Sequence, residues 1–359
     1  MQKIVYFGFP AHGHVNPSLP IVSELIRRGA HVDYDSREPF RRSVEWTGAA
    51  FHDYGSRFAV PAGGPGQFAR LDTTIEALIE LTSTVLRDHV SSVRSIDPVC
   101  IMHDAFSPWG KFIAQSLHLP ALVSVPGIAV NERIAMGDGA AGSDREATGR
   151  AIGESMPRWM SALGGLRERF GIPGLHNPFE LMHACGDLNL ICTSRVFQPH
   201  ADAFDDERFK FVGPSLSPRL GTVYQDRGPF FLESIAENFV LLETVPKMEV
   251  LKRAALFITH GGMNSVSEGL FHNVPLLVVP QGGDQYWIAK RVDELGAGLS
   301  ISGMEPDPAI LRQSVEHIAS RSSFVHAASE IGESLRSAGG SQPAVDEIEA
   351  LLTPGEGRL

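Results

Sequence analysis

Long apolar runs are missing from this 359-residue sequence: no stretch reaches membrane-spanning length. Lysine- and arginine-rich runs are missing too. With 31 basic against 42 acidic residues the formal net charge is −11, which argues against nucleic acid as a partner. Cysteine is scarce. Cys100, Cys185 and Cys192 each sit in or near an apolar run, at no spacing that suits a metal. Buried free thiols in a reducing cytoplasm are the expectation. The apolar run Lys3-Ile4-Val5-Tyr6-Phe7 leaves no room ahead of it for a signal peptide, which fits a cytoplasmic location. What remains, 43% hydrophobic and 20% charged, is the composition of a soluble globular protein long enough for two domains.

The densest chemical information lies between residues 245 and 285. Ala255 to Thr259 is a short apolar run that reads as a buried parallel strand. A turn follows, His260-Gly261-Gly262-Met263-Asn264. Ser265 to Phe271 then has helical spacing, and Pro275 to Val279 is a second buried strand. This is one βαβ unit with a glycine turn entering its helix. The first N–H groups of such a helix have no partner, and its dipole adds positive charge there. Gly261 and Gly262 let a phosphate approach the backbone. His260, Asn264 and Ser265 supply side-chain donors at the same end. Glu268, one turn on, is placed to accept from ribose hydroxyls. Asp284 and Gln285 follow the second strand at the carboxyl edge and suit a polyol. A ligand-free alternative stands beside this: Ser265-Val266-Ser267-Glu268 also fits a capping box.

The string closely resembles the donor-binding signature of the UDP-glycosyltransferase family, in particular its bacterial macrolide-glycosyltransferase branch. The matching residues are Val245-Pro246, Phe257, Thr259-His260-Gly261, Asn264-Ser265, Glu268, Val274-Pro275, Pro280 and Asp284-Gln285. The resemblance implies an α/β protein of GT-B type, with two Rossmann-like domains facing across a cleft. It implies that His260, Gly262, Asn264 and Ser265 meet a diphosphate, Glu268 the ribose, and Asp284 and Gln285 the sugar. The backbone near Val245 would hold the base, and Thr222 matches the Gly-Thr of the donor domain. Two positions depart from the family: Thr244 replaces its Trp, and Lys247 its Gln.

The N-terminal half opens with another βαβ pattern. Ile4 to Phe9 reads as a strand, Pro10 to Pro17 as a loop with Pro17 opening a helix, and Ala30 to Tyr34 as a strand. The loop resembles the family's H-x-x-P element in His14-Val15-Asn16-Pro17. By that resemblance His14 is the general base, with His12 as runner-up. Asp104, ending the strand Val99 to His103, is its partner acid; the competing reading is an Asp that caps the next helix. Residues 127–175 carry little pattern. Phe58, Phe106, Trp109, Ile128 and Met136 are candidates for the acceptor pocket there and nearby, with ordinary core packing as the competing reading for each.

The family resemblance implies an N-terminal acceptor domain over 1–213, a nucleotide-sugar domain over 214–342, and a terminal helix in 343–359 crossing back. Between Leu216 and Val240 the pattern falls short by roughly one βαβ unit, about 30 residues. A parallel sheet lacking two strands would expose an edge, so segments missing near 220 and 237 are expected rather than a trimmed domain. The implied reaction is inverting, metal-independent transfer of a hexose, glucose first, from a UDP-sugar to a hydroxyl of a lipophilic natural product: a macrolide, another polyketide or a flavonoid. No cofactor is expected beyond that co-substrate, and the protein would be a monomer or homodimer. The alternatives are a sugar-nucleotide epimerase or hydrolase of the same architecture, and a non-catalytic binding protein.

Overall fold

The computed structural model describes residues 2–55, 71–131, 134, 145–172, 176–181, 185–216, 238, 240, 242, 245–303 and 305–353. Phe58, Met136, Thr222 and Thr244 lie outside these residues, as do the expected junctions near 220 and 237. The polypeptide is nevertheless continuous from 216 to 245. The expectation of further segments there falls on residues outside those described.

The first half builds β1 (Lys3–Phe7), α1 (His12–Arg27), β2 (His31–Ser36), α2 (Arg41–Glu45), β3 (Ala50–Asp53), α3 (Leu71–Ile96), β4 (Cys100–Asp104), α4 (Pro108–Leu117), β5 (Ala121–Val125), α5 (Arg145–Phe170), β6 (Leu188–Ile191) and β7 (Phe209–Phe211). The strands form one parallel sheet in the order β3-β2-β1-β4-β5-β6-β7. Both faces are covered, which is why the strands read as continuous apolar runs. Ile4 and Tyr6 of β1 face one core layer with Val15, Val22 and Leu25 of α1. Val5 and Phe7 face the other, with Leu78 and Val85 of α3 and Phe112 of α4. The chain leaves β1 for β2 on one side and returns to β4 on the other, so the order reverses between β1 and β4. Ligands bind at that kind of switch point, beyond the carboxyl ends of the strands.

The second half contributes α6 (Lys247–Leu251), β8 (Phe257–Thr259), α7 (Met263–Phe271), β9 (Leu276–Val278), α8 (Gln285–Glu294), β10 (Gly298–Ser300), α9 (Pro308–Ala319), α10 (Ser322–Ser337) and α11 (Ser341–Leu352). Among the described residues its sheet has three parallel strands, β10-β9-β8. Strand β8 stands at the edge with Ile258 46% exposed, as a shortened sheet would leave it. Helix α7 packs on α10, and Val266, Leu270, Ile288 and Ile331 form this half's core. Finally α11 crosses back. Ala344, Val345 and Ile348 are fully buried in the α1 side of the first core, and Arg28 binds Asp346 and Glu349 at 2.6 and 2.8 Å.

Two local expectations change. Residues 10–17 are not all loop: α1 already begins at His12, so Pro17 lies inside the helix rather than at its opening turn. Helix α7 begins at Met263 with Gly262 as its cap. That places Ser265 and Glu268 within the helix and removes the capping box: the Gly262 cap makes no side-chain bond.

Among the described residues no helix is long and apolar enough to cross a membrane, and no cluster of three His, Cys, Asp or Glu side chains could hold a metal. Cys100, Cys185 and Cys192 are all free, the first and third fully buried.

Candidate active site

The base side of the site is built by the switch point. Strand β1 ends at Phe7 and the chain turns into α1, which carries His14 in its first turn. Strand β4, paired to β1 with Phe7 opposite His103, ends at Asp104. The two side chains meet: His14 Nδ1 lies 2.9 and 3.0 Å from the two oxygens of Asp104. Asp104 is 1% exposed and also accepts the Phe106 N–H at 2.7 Å. It does not cap α4, whose N-cap is Ser107. With Nδ1 committed to the carboxylate, Nε2 is the nitrogen left to take a proton. The rings of Phe9 and Phe106 stand edge-on to the imidazole at 5.1 and 5.2 Å.

Burial pushes the His14 pKa down. The Asp104 charge and hydrogen bond, with a smaller contribution from Asp284, together outweigh burial, and the net shift is upward from 6.5. The neighbouring His103 behaves oppositely. It is fully buried and donates from Nδ1 to the Asp104 carbonyl at 2.9 Å, and burial lowers its pKa to about 4. His12, the alternative base, is exposed and sits against the Phe40 ring, 5.0 Å between centroids.

The opposite wall comes from the carboxyl edge of the second sheet, where Thr259 of β8 pairs with Val278 of β9. Gly261 turns the chain at φ 87°, and a Cβ there would come within 2.6 Å of Val278 Cγ1. At Gly262 a Cβ would come within 2.5 Å of His260 Nε2. The pair brings bare backbone and an uncapped helix start to the cleft, an arrangement suited to an anion.

Asn264 and Ser265 lie in the first turn of α7. Glu268, 3% exposed, forms an ion pair with Lys247, whose ammonium also donates to Ser265 Oγ at 3.3 Å. Sequence reasoning gave Lys247 no role; its only signal was the departure from the family's Gln. Val245 is 48% exposed at the entry to α6. Asp284 is exposed at the start of α8. Desolvation raises its carboxyl, opposed by the His14 charge, so Asp284 and His14 face each other across the cleft. Gln285 is more committed than expected: its Oε1 accepts the N–H groups of Gln281 and Gly282 at 2.7 and 3.2 Å, which holds the loop and leaves Nε2 for a ligand.

The acceptor candidates divide. Phe106 lines the base. Trp109 is fully buried in the first core, its Nε1 donating to Tyr54 Oη at 3.2 Å. Ile128 is buried with Phe197, Met263 and Val266 where the two halves meet. Neither presents a surface to an acceptor, and core packing is the reason both are apolar.

Residues 224–352 match the family described as "Erythromycin biosynthesis protein CIII-like, C-terminal domain". The chain is 31% identical to an uncharacterized UDP-glucosyltransferase YojK of Bacillus subtilis (strain 168), with 97% of each chain covered. That alignment spans 403 positions, more than this chain's 359 residues, so it opens gaps here. It is 30% identical to the NDP-glycosyltransferase YjiC of Bacillus licheniformis, with 98% of each covered. Among solved structures it resembles CalG4, the calicheamicin glycosyltransferase, with a TM-score of 0.79 at 25% identity over 98% of each chain.

Proposed function

The chain belongs to the UDP-glycosyltransferase family and has the GT-B fold, and from that premise we propose that it is an inverting transferase acting on natural products. A nucleotide-activated hexose, glucose from UDP-glucose in the first instance, would bind against α7, and a hydroxyl of a lipophilic acceptor would enter from the α1 side. The observation that carries this reading is the His14–Asp104 pair at 2.9 Å, facing an uncapped helix start across the cleft.

In the proposed step the acceptor oxygen attacks the anomeric carbon as its proton passes to His14 Nε2. The C–O bond to the diphosphate breaks on the opposite face, which inverts the centre. Asp104 fixes the tautomer and stabilises the imidazolium. The charge on the leaving diphosphate falls on the N–H groups of residues 262–265 and on His260, so this reading requires no metal ion. Asp284, and the free Nε2 of Gln285, would hold sugar hydroxyls, with Val245 backbone at the base. The relatives support a lipophilic acceptor: the family description names erythromycin biosynthesis, and CalG4 is a calicheamicin glycosyltransferase. The three free thiols fit a reducing cytoplasm.

The test is UDP-glucose against a panel of hydroxylated natural products, read by mass shift, with wild type and His14→Ala. Addition of one hexose is expected. On an alkyl alcohol acceptor His14→Ala should lower kcat by about two to four orders of magnitude while UDP affinity holds. No hexose transfer to any acceptor, or full turnover by His14→Ala, would count against the proposal.

A further inference from the structure

Helix α1 contains a proline where an ordinary helix would bond. The N–H of residue 17 would donate to the carbonyl of residue 13, and Pro17 has none to give. The Gly13 carbonyl is thus left without that donor, one residue before His14. It is met from the other half of the molecule: Asn264 Nδ2, in the first turn of α7, donates to Gly13 O at 3.2 Å. Among the described residues the other polar links between the halves lie away from His14: Arg28, at the far end of α1, binds Asp346 and Glu349. Ser194 meets Ser334 at 2.8 Å, Arg291 donates to the carbonyls of Val196 and Phe197 at 2.8 and 2.9 Å, and Gly340 N–H donates to Val212 O at 2.6 Å. Asn264 makes its link beside the base.

We propose that Asn264 is a positioning residue, an interdomain latch that docks on the Gly13 carbonyl exposed by Pro17 and so sets the distance between His14 and the anion-binding start of α7. An amide nitrogen carries two hydrogens. One goes to Gly13, and the other remains for a diphosphate oxygen. A single side chain therefore ties the helix of the base to the leaving group. Gly127 against Met263, 3.7 Å from where a Cβ would sit, closes the same seam. The influence of the Asp284 charge on His14 is consistent with cleft walls already close together in this state. The catalytic consequence rests on the transferase reading; the latch itself does not.

The experiment is a cycle of Pro17→Ala, Asn264→Ala and the double variant. Small-angle scattering of ligand-free protein reads the opening of the halves. Calorimetry reads UDP affinity, and steady-state kinetics reads kcat and KM. Replacing Pro17 by alanine returns an N–H that competes for Gly13 O within the helix, and alanine favours the helical state. Pro17→Ala should therefore open the scattering profile and lower kcat by roughly ten- to hundredfold, as expected when a reacting group shifts by about an ångström. UDP affinity should fall far less than kcat: Pro17 lines the cavity beside Asn264, Ser267 and Glu268, but its ring has no polar contact to lose on replacement by alanine. Asn264→Ala should open the profile equally. The double variant should be no worse than the worse single, because both remove one bond. Losses that multiply, or a Pro17→Ala profile that matches wild type, would overturn the latch. Scattering decides the latch even if no acceptor is ever glycosylated, so its failure is separable from failure of the transferase reading.

Discussion

At the level of single residues, the proposed role of the His14–Asp104 pair fixes how activity should follow pH. A base must be neutral to work, and the His14 pKa is raised from 6.5. Activity should therefore fall as pH drops through a value above 6.5. The buried His103 titrates at about 4 and does not contribute to that limb. The effect on stability has the opposite sign. The ion pair stabilises the fold fully below the unfolded value and loses its effect as pH rises through the folded one. In Asp104→Asn the charge that outweighs burial is gone. The acid limb of kcat/KM should then move below 6.5, with a lower plateau, as a pH–rate profile would show. A limb that stays in place would assign the titration to another group. This pair was legible in the sequence only through its resemblance to an H-x-x-P loop and a strand-end Asp. Spacing alone cannot say that residues 14 and 104 meet, because that depends on β4 pairing with β1 rather than with β3. Lys247 stayed obscure for a related reason: its partner Glu268 is brought to it by the fold of α6 against α7.

At the level of elements, strands and helices with strong periodicity were legible, whereas helix starts were not. A proline usually marks a first turn, yet α1 starts two residues before His14 and runs through both Pro17 and Pro20. Burial of Val15, Leu19, Ile21 and Val22 outweighs the lost backbone bonds. The capping-box reading of 265–268 failed similarly, because the glycine turn itself supplies the cap. Helix α11 poses a question of magnitude. Arg28 links it to α1 through carboxylates that are 64% and 44% exposed, and exposed pairs contribute about 0–1 kcal/mol. Ile348 is fully buried, and deleting such a side chain to alanine costs about 2–5 kcal/mol. Urea unfolding should therefore show Ile348→Ala destabilising by about 2–5 kcal/mol and Arg28→Ala by clearly less. A reversed order would make the ion network the anchor.

At the level of the whole molecule, two parallel sheets could be expected from two βαβ openings, whereas their facing across a cleft was implied only by the family resemblance. The second sheet has three strands among the described residues, where the sequence pattern leads one to expect more. An exposed β8 edge is costly, and the stretch that would cover it, 217–237, lies outside the described residues. Donor choice belongs to this scale because it depends on how α6, α7 and the loop before them meet. Thr244 offers no flat face to a base, and Lys247 already engages one oxygen of Glu268. On the proposed reading, recognition through backbone near Val245 would treat uracil and thymine alike, and a part-occupied Glu268 would read the ribose diol less fully. Specificity constants for UDP- and dTDP-glucose with one acceptor should agree within about tenfold, or ~1.4 kcal/mol. A preference for UDP beyond a hundredfold would place a base-reading side chain elsewhere.

The return of α11 to the first sheet also has a consequence for synthesis on the ribosome. All seven strands of that sheet have been made by residue 211, but Ala344, Val345 and Ile348, which complete its α1 face, follow well over a hundred residues later. At about 5–20 residues per second the interval is on the order of ten seconds. Throughout it, the nascent first domain carries an open apolar strip beside α1. Emergence of α11, rather than completion of the sheet, is the event that seals it, and until then that strip is a surface for a holding chaperone.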